Sequence, residues 1–302
     1  MRFRLALIAA LATTPALAQQ EAGGTSQLTN RMSALTEALS QYRPLDNGVW
    51  IAAGVGQVDD GRPGLSRRVT SQSVQLGYDH RIASPFTLND QLVVGVAGAA
   101  IGASARTEAQ NMRVESQGWS VTGYGVYSPY LFLSFPVSLT VTRWSSDQTR
   151  DGTNLQPVYR TSYNSTSIAS SVGAALTLPL ARYLVTTSLS HRYSGNNRPA
   201  YSEAINPQAT DFQLTPSAVT DASQLVGNVR LALPFETGRV WISAGYAYDV
   251  QRRPSEDTRS EFPLGIGLDM LSPRWQLGIA GQMILRDDIT SYTGMLTGRA
   301  QF

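Results

Sequence analysis

Residues 289–302 constrain the fold more than any other stretch of the chain. They read I-T-S-Y-T-G-M-L-T-G-R-A-Q-F, and the sequence stops on an aromatic residue. One parity carries Tyr292, Gly294, Leu296, Gly298, Ala300 and Phe302; the other carries Ser291, Thr293, Met295, Thr297, Arg299 and Gln301. A period-2 stripe with one apolar face is a β-strand, and this one is long enough to cross a bilayer. A final strand has an edge of unpaired N–H and C=O groups, and pairing it with the first strand of the same chain removes that edge. The expected fold is therefore all-β: a transmembrane, antiparallel, up-and-down β-barrel.

The N-terminus predicts export. Arg2 and Arg4 precede an apolar run from Leu5, and Ala16-Leu17-Ala18 precede Gln19-Gln20, the pattern of a cleavable signal peptide over residues 1–18. Nothing after it approaches the run of about 18 apolar residues that a membrane helix needs, so a membrane-embedded chain has to cross as strands. There is no cysteine, which excludes disulfides and thiolate metal sites. The formal net charge is only +2, which leaves no electrostatic footprint for nucleic acid. The basic pairs Arg67-Arg68 and Arg252-Arg253 read as loop tips beside anionic head groups or as solvated charge. Residues 19–47 are a short polar segment followed by an amphipathic helix. Leu28, Met32, Leu35, Leu39 and Tyr42 recur at three- and four-residue steps, and Pro44 stops the run. The other face, with Asn30, Arg31, Glu37 and Gln41, suits a polar lumen as well as a position on the barrel rim.

From residue 48 to residue 302 the chain alternates strands with turn clusters. Strands are expected at 49–58, 69–81, 92–103, 114–127, 131–145, 160–178, 183–193, 224–233, 239–249, 260–270, 275–286 and 289–302, about twelve in all. The connectors sort into two sets. Tight turns fall at Tyr127-Ser128-Pro129-Tyr130, Pro179-Leu180-Ala181, 234–238 and Leu271-Ser272-Pro273-Arg274, with a longer one at 83–90. Long polar loops alternate with them at 59–68, 104–113, 146–159, 194–223 and 250–259. Short periplasmic turns and long extracellular loops are the habit of outer-membrane barrels. Asp287-Asp288, a short connector on the long-loop side, breaks it.

Alternation also assigns the faces. Leu225, Val229, Leu231 and Leu233 alternate with Asn228 and Arg230; Trp275, Leu277, Ile279, Met283 and Leu285 alternate with Gln276, Gln282 and Arg286. An arginine facing lipid at the midplane costs roughly 2–4 kcal/mol, so the apolar parity must face lipid. The lumen is then polar, with Arg192, Arg230, Arg286 and Arg299 set against Asp79, Asp249 and Asp269. Tyr78, Tyr127, Phe135, Tyr183 and Trp275 near the short turns, and Tyr193, Tyr246, Tyr248 and Tyr292 near the loops, make two aromatic girdles. A soluble β-sandwich or barrel would invert the faces. The export signal, strand length, loop asymmetry and girdles together select the membrane barrel.

Several short motifs resemble the barrel (translocator) domain of bacterial autotransporters. Gly48-Val49-Trp50 with Gly54 and Gly56 resembles its opening strand, and Leu76-Gly77-Tyr78-Asp79 the end of its second. Val94-Gly95 with Gly98 resembles the third, Gly118 with Tyr124-Gly125-Val126-Tyr127 the fourth, and Phe302 the terminal aromatic. The resemblance covers residues 48–302. It implies a twelve-stranded barrel with the N-terminal helix in the lumen, so that Leu28, Met32, Leu35, Leu39 and Tyr42 would form a plug. It also implies insertion by the barrel assembly machinery, which would read the final strand with Phe302 as the assembly signal. Gly298 and Ala300 depart from the family's usual terminal pattern. Only residues 19–24 separate the leader from the helix, so no passenger is expected.

Catalytic patterns are sparse. The two histidines are His80 and His191. A lipid-facing histidine–serine dyad within one strand needs a spacing of two. His191 has Tyr193 there, with Ser190 and Ser194 on the opposite parity, so it is expected to sit at the interface beside Tyr193. Asp59-Asp60 and Asp287-Asp288 read as turn formers before they are catalytic carboxylates. Gly54-Val55-Gly56, Gly123-Tyr124-Gly125 and Gly265-Ile266-Gly267 sit inside strands, without the helix that a nucleotide loop requires. No catalytic residue, metal or cofactor is expected. The leading expectation is a non-enzymatic barrel in the outer membrane of a Gram-negative bacterium, in contact with outer-membrane lipid. Its surface loops, chiefly 194–223, would make outside contacts, or it would act in transport across the membrane. The alternatives are a porin-like channel for small solutes, in which lumen charges filter, and an outer-membrane hydrolase. Mixed signs along the wall favour paired charges in a plugged barrel.

Overall fold

The computed structural model describes residues 47–62, 66–87, 90–107, 112–150, 159–205, 212–215, 217–253 and 259–302. The leader (1–18) and the expected helix (28–42) lie outside the described residues, which contain no helix. Fourteen strands form one antiparallel sheet: β1 (Gly48–Asp60), β2 (Arg67–Ala83), β3 (Gln91–Thr107), β4 (Met112–Tyr130), β5 (Leu133–Arg150), β6 (Tyr159–Leu180), β7 (Tyr183–Arg198), β8 (Tyr201–Ile205), β9 (Phe212–Thr215), β10 (Ala218–Phe235), β11 (Gly238–Arg253), β12 (Ser260–Leu271), β13 (Trp275–Arg286) and β14 (Ile289–Gln301). Twelve of them close a ring in which each pairs with its chain neighbours and β14 pairs with β1 from Gly48↔Gln301 to Asp60↔Ile289. The other two, β8 and β9, form a hairpin inside the longest loop, and β8 pairs back onto β6 at Tyr159↔Ile205.

The register fixes the size of the ring. Directly opposed residues can be followed once round, from Leu233 on β10 through Ala53 on β1, Trp119 on β4 and Asn197 on β7. The path returns to β10 at Val219, fourteen residues from its start (233 to 219). With strands about 4.8 Å apart and a rise of about 3.3 Å per residue, that stagger tilts the strands by about 39° and sets a backbone radius of about 12 Å.

The outward parity is apolar and exposed, as at Ile51, Leu76, Leu139, Leu231, Ile279 and Leu296. A continuous belt of large exposed hydrophobic side chains is far beyond what a soluble surface tolerates; hydrocarbon is the solvent that makes it favourable. The inward parity is polar and small, and its packing rests on aromatic rings seated over glycines. Trp50 lies over Gly77, Tyr124 over Gly95, Trp144 over Gly118 and Trp241 over Gly267, and in each case a Cβ on the glycine would overlap the ring. The members of each pair are directly opposed on neighbouring strands. Trp50 Nε1 donates to the Tyr124 hydroxyl at 2.7 Å, joining two of the seats into one cluster.

The strands outrun their expected ends, and they do so mostly on the long-loop side. β5 continues to Arg150 and β7 to Arg198, and β10 starts at Ala218. Beyond the lipid both faces of a strand are wet, so the alternation that marks a strand disappears while its hydrogen bonds continue. The wall is uneven: β6 has 22 residues and β13 only 12. Asp287-Asp288 is a two-residue turn, with Asp287 at a φ of 44°.

Replacing Gly77 by alanine should displace Trp50 and cost about 1–3 kcal/mol. Replacing the outward Gly123, whose Cβ would meet nothing within 4 Å, should be neutral or slightly stabilising. The urea midpoints of the two refolded variants in detergent test the contrast.

Candidate functional site: the barrel lumen

A forked ion pair in the lumen spans the seam between the first and last strands. Arg299 on β14 reaches over β1 to Asp79 on β2 in a forked contact, Nη2 donating to Oδ1 at 3.0 Å and Nε to Oδ2 at 3.2 Å. Both side chains are almost wholly buried. The guanidinium crosses β1 at Gly48, where a Cβ would stand 2.8 Å from its nitrogens. That glycine is required by the close approach. On the outer face Tyr78 and Phe302 make the same crossing, their rings stacked 6.5 Å apart. The Phe302 N–H donates to the Asn47 carbonyl at 3.0 Å.

The other lumen carboxylates are also paired in place. Asp249 on β11 accepts from Arg286 on β13, from Arg252 and from Gln224, and Glu261 on β12 accepts a second bond from Arg286. Near the short-turn end Asp269 accepts from Arg239 at 2.6 Å. Arg230 lies over the Trp241 ring at 4.1 Å, and Arg192 faces inward on β7. Both line an internal cavity of roughly 130 Å³ with Ser188, Asn228, Gln282 and Thr293. Sequence reasoning missed three members of these groups. Arg239 and Glu261 share the inward parity of their strands and were legible. Arg252 was not, because a bulge at Ser223/Gln224 shifts the register of β11 and turns it inward. This corrects the reading of both basic pairs as loop tips: Arg252 belongs to the lumen network, Arg67 is buried, and only Arg68 of the first pair is outward and exposed.

Hydroxyl ladders complete the wall: Thr122 with Thr140 at 2.9 Å, Ser116 with Ser146 at 2.8 Å, and Trp144 Nε1 to Ser167 and onward to Asn196. At the long-loop end the mouth is apolar. Val69, Ala105, Met112, Val114 and Tyr163 cluster there, and Tyr201 from β8 stacks on Tyr163 at 4.7 Å with Arg198 over both rings. The expected loop 194–223 is thus partly a folded hairpin whose first tyrosine enters the mouth.

His191 accepts or donates a 2.7 Å hydrogen bond with Ser223 on the outward face, across β7 and β10. The serine that its own strand does not provide comes from the neighbouring strand, a pairing that spacing within one strand could not reveal. His80 is exposed on the outward face. Among the described residues no acidic, histidine or cysteine cluster could hold a metal.

Arg299→Met should strand a buried Asp79 carboxylate and cost about 3–5 kcal/mol. The Asp79→Leu/Arg299→Met double variant should recover part of that loss, read as unfolding midpoints of the refolded barrels.

The comparisons agree with this geometry. The translocator domain of the autotransporter NalP from Neisseria meningitidis superposes with a TM-score of 0.80 at 11% identity, covering 94% of this chain and 98% of that one. The β-domain of the Bordetella autotransporter BrkA gives 0.72 at 12% identity, over 85% of this chain and 100% of that one. The transport unit of AIDA-I from Escherichia coli gives 0.58 at 12% identity, over 90% and 98%. Among curated proteins no sequence matches. The family model of the autotransporter β-domain matches residues 49–294, most of the barrel. The chain is an outer-membrane β-barrel of the Gram-negative type, and it belongs to the autotransporter β-domain family.

Proposed function

We propose that this barrel is a non-enzymatic translocator whose lumen holds one helix or one extended chain, and that residues 28–42 are its resting plug. The observation that carries this reading is the match between bore and wall. A backbone radius of about 12 Å, less the inward side chains, leaves room for a single α-helix of about 10 Å. The inward side chains are mainly serine, threonine, alanine and glycine, which suit close passage of a chain. Asp79, Asp249, Glu261 and Asp269 are consumed in pairs with arginines, whereas a filter displays its charges to passing ions. The His191–Ser223 pair has no third group to orient the histidine among its described neighbours, as acyl transfer demands. The surface loops would make whatever contact the protein has outside. The final strand, with Phe302 locked at its end, would be read by the barrel assembly machinery.

Planar-bilayer conductance of the refolded protein, with and without residues 28–42, tests this. The full chain should be nearly closed and the deletion should conduct. A full chain that already conducts steadily would make the barrel a small-solute channel, and a deletion that stays closed would remove the plug.

A further inference from the structure

One side of the barrel stands taller than the other, and its outer face carries a group of exposed arginines. On β2, β3 and β4, Arg68, Arg106 and Arg113 are directly opposed neighbours, all outward and exposed. Like charges in that position repel. Asp59 holds Arg68 at 2.7 Å and Glu115 holds Arg113, but no described carboxylate pairs with Arg106 between them. Six residues down the same strands, at Val74, Ala100 and Trp119, the apolar belt begins. There Arg143 on β5 stands directly opposite Trp119, also outward, exposed and without a described carboxylate. Six residues at about 3.3 Å, tilted by about 39°, descend about 15 Å along the membrane normal, and directly opposed residues climb about 3 Å per strand from β2 to β5, so Arg143, the lower cationic tier, stands about 6–12 Å below the three upper arginines.

Between the tiers the wall is concave. The outward Gly102, flanked by Gln72 and Gln117, floors a groove of about 1060 Å³. A second groove of about 930 Å³ continues down over Val74, Ala100 and Leu296 into the belt. An occupant must therefore be apolar below and anionic at two heights above. A soluble anion has no use for an arginine at the hydrocarbon edge, whereas a membrane glycolipid with phosphate near its acyl chains and further anionic groups on its sugars meets both tiers.

We propose that this wall binds phosphorylated glycolipid of the outer leaflet, lipopolysaccharide. Its acyl chains lie on the belt below Trp119, its proximal phosphate pairs with Arg143, and its anionic core sugars lie against Arg68, Arg106 and Arg113. Guanidinium groups suit this task because they bind phosphate through two parallel N–H donors. The site is independent of what the lumen carries.

The test is titration of purified lipopolysaccharide against the refolded full chain in detergent, comparing wild type, Arg143→Gln, Arg106→Gln/Arg113→Gln and a control, Arg274→Gln, at the exposed short-turn end. All four substituted side chains are exposed, and heat-dependent gel mobility confirms that each variant is folded. Each arginine removed from the wall should weaken binding about 5-fold, and the double variant about 30-fold; the control should be unchanged. Dephosphorylated glycolipid should bind more weakly than the intact form, and inorganic phosphate alone should not compete at equal concentration. Wild-type affinity in the double variant, equal binding of the dephosphorylated form, or full competition by free phosphate would each overturn the proposal.

Discussion

The barrel depends on a clamp across its first strand. A closed sheet has one join that the chain does not provide through a turn, and here it lies between β1 and β14. Backbone hydrogen bonds alone would hold it as they hold any other pair. The join is reinforced on both faces: Asp79 with Arg299 inside and Tyr78 with Phe302 outside. Both contacts run from β14 or its end over β1 to β2, so opening the seam costs side-chain contacts on either side of the sheet as well as the ladder. Gly48 makes the inner half possible by leaving the guanidinium a path.

A barrel of this size has no single central hydrophobic core, because most of its large aliphatic side chains point outward and its inward apolar residues form small separate clusters on the wall. Its inner surface must be made cohesive by other means, and two recur. Aromatic rings are seated over directly opposed glycines, which lets a tryptophan or tyrosine lie flat on the wall without filling the bore. Many charges and hydroxyls are matched with one another, as in Asp79 with Arg299 and Thr122 with Thr140, which lowers the cost of burying them. These devices stiffen the wall while leaving its inner surface thin.

The two ends of the molecule follow different physics. At the short-turn end the connections are tight, and Tyr127 and Asp90 pin the one longer turn. At the long-loop end the strands of one side continue beyond the lipid, held by their ladders, and the β8–β9 hairpin pairs onto the outer end of β6 with Tyr201 stacked on Tyr163. The resulting slanted rim places a tyrosine cluster inside the mouth and an arginine wall outside it.

The alternation in residues 289–302 and in the barrel strands before them was enough to determine a barrel, its strand count and which residues face lipid, because hydrocarbon allows only one assignment of faces. The glycine-rich motifs were legible as a family resemblance but not as seats, since no spacing along one strand says which ring will lie over which glycine. Pairings across strands were out of reach for the same reason. Asp79 and Arg299 lie 220 positions apart, Ser223 meets His191 only through register, and Arg252 turns inward only because of a bulge. What the sequence by itself determined was the solvent of each face, which is a local property of each strand. What only the tertiary structure decided was who touches whom across the strands, because register and stagger are set by the closure of the whole ring.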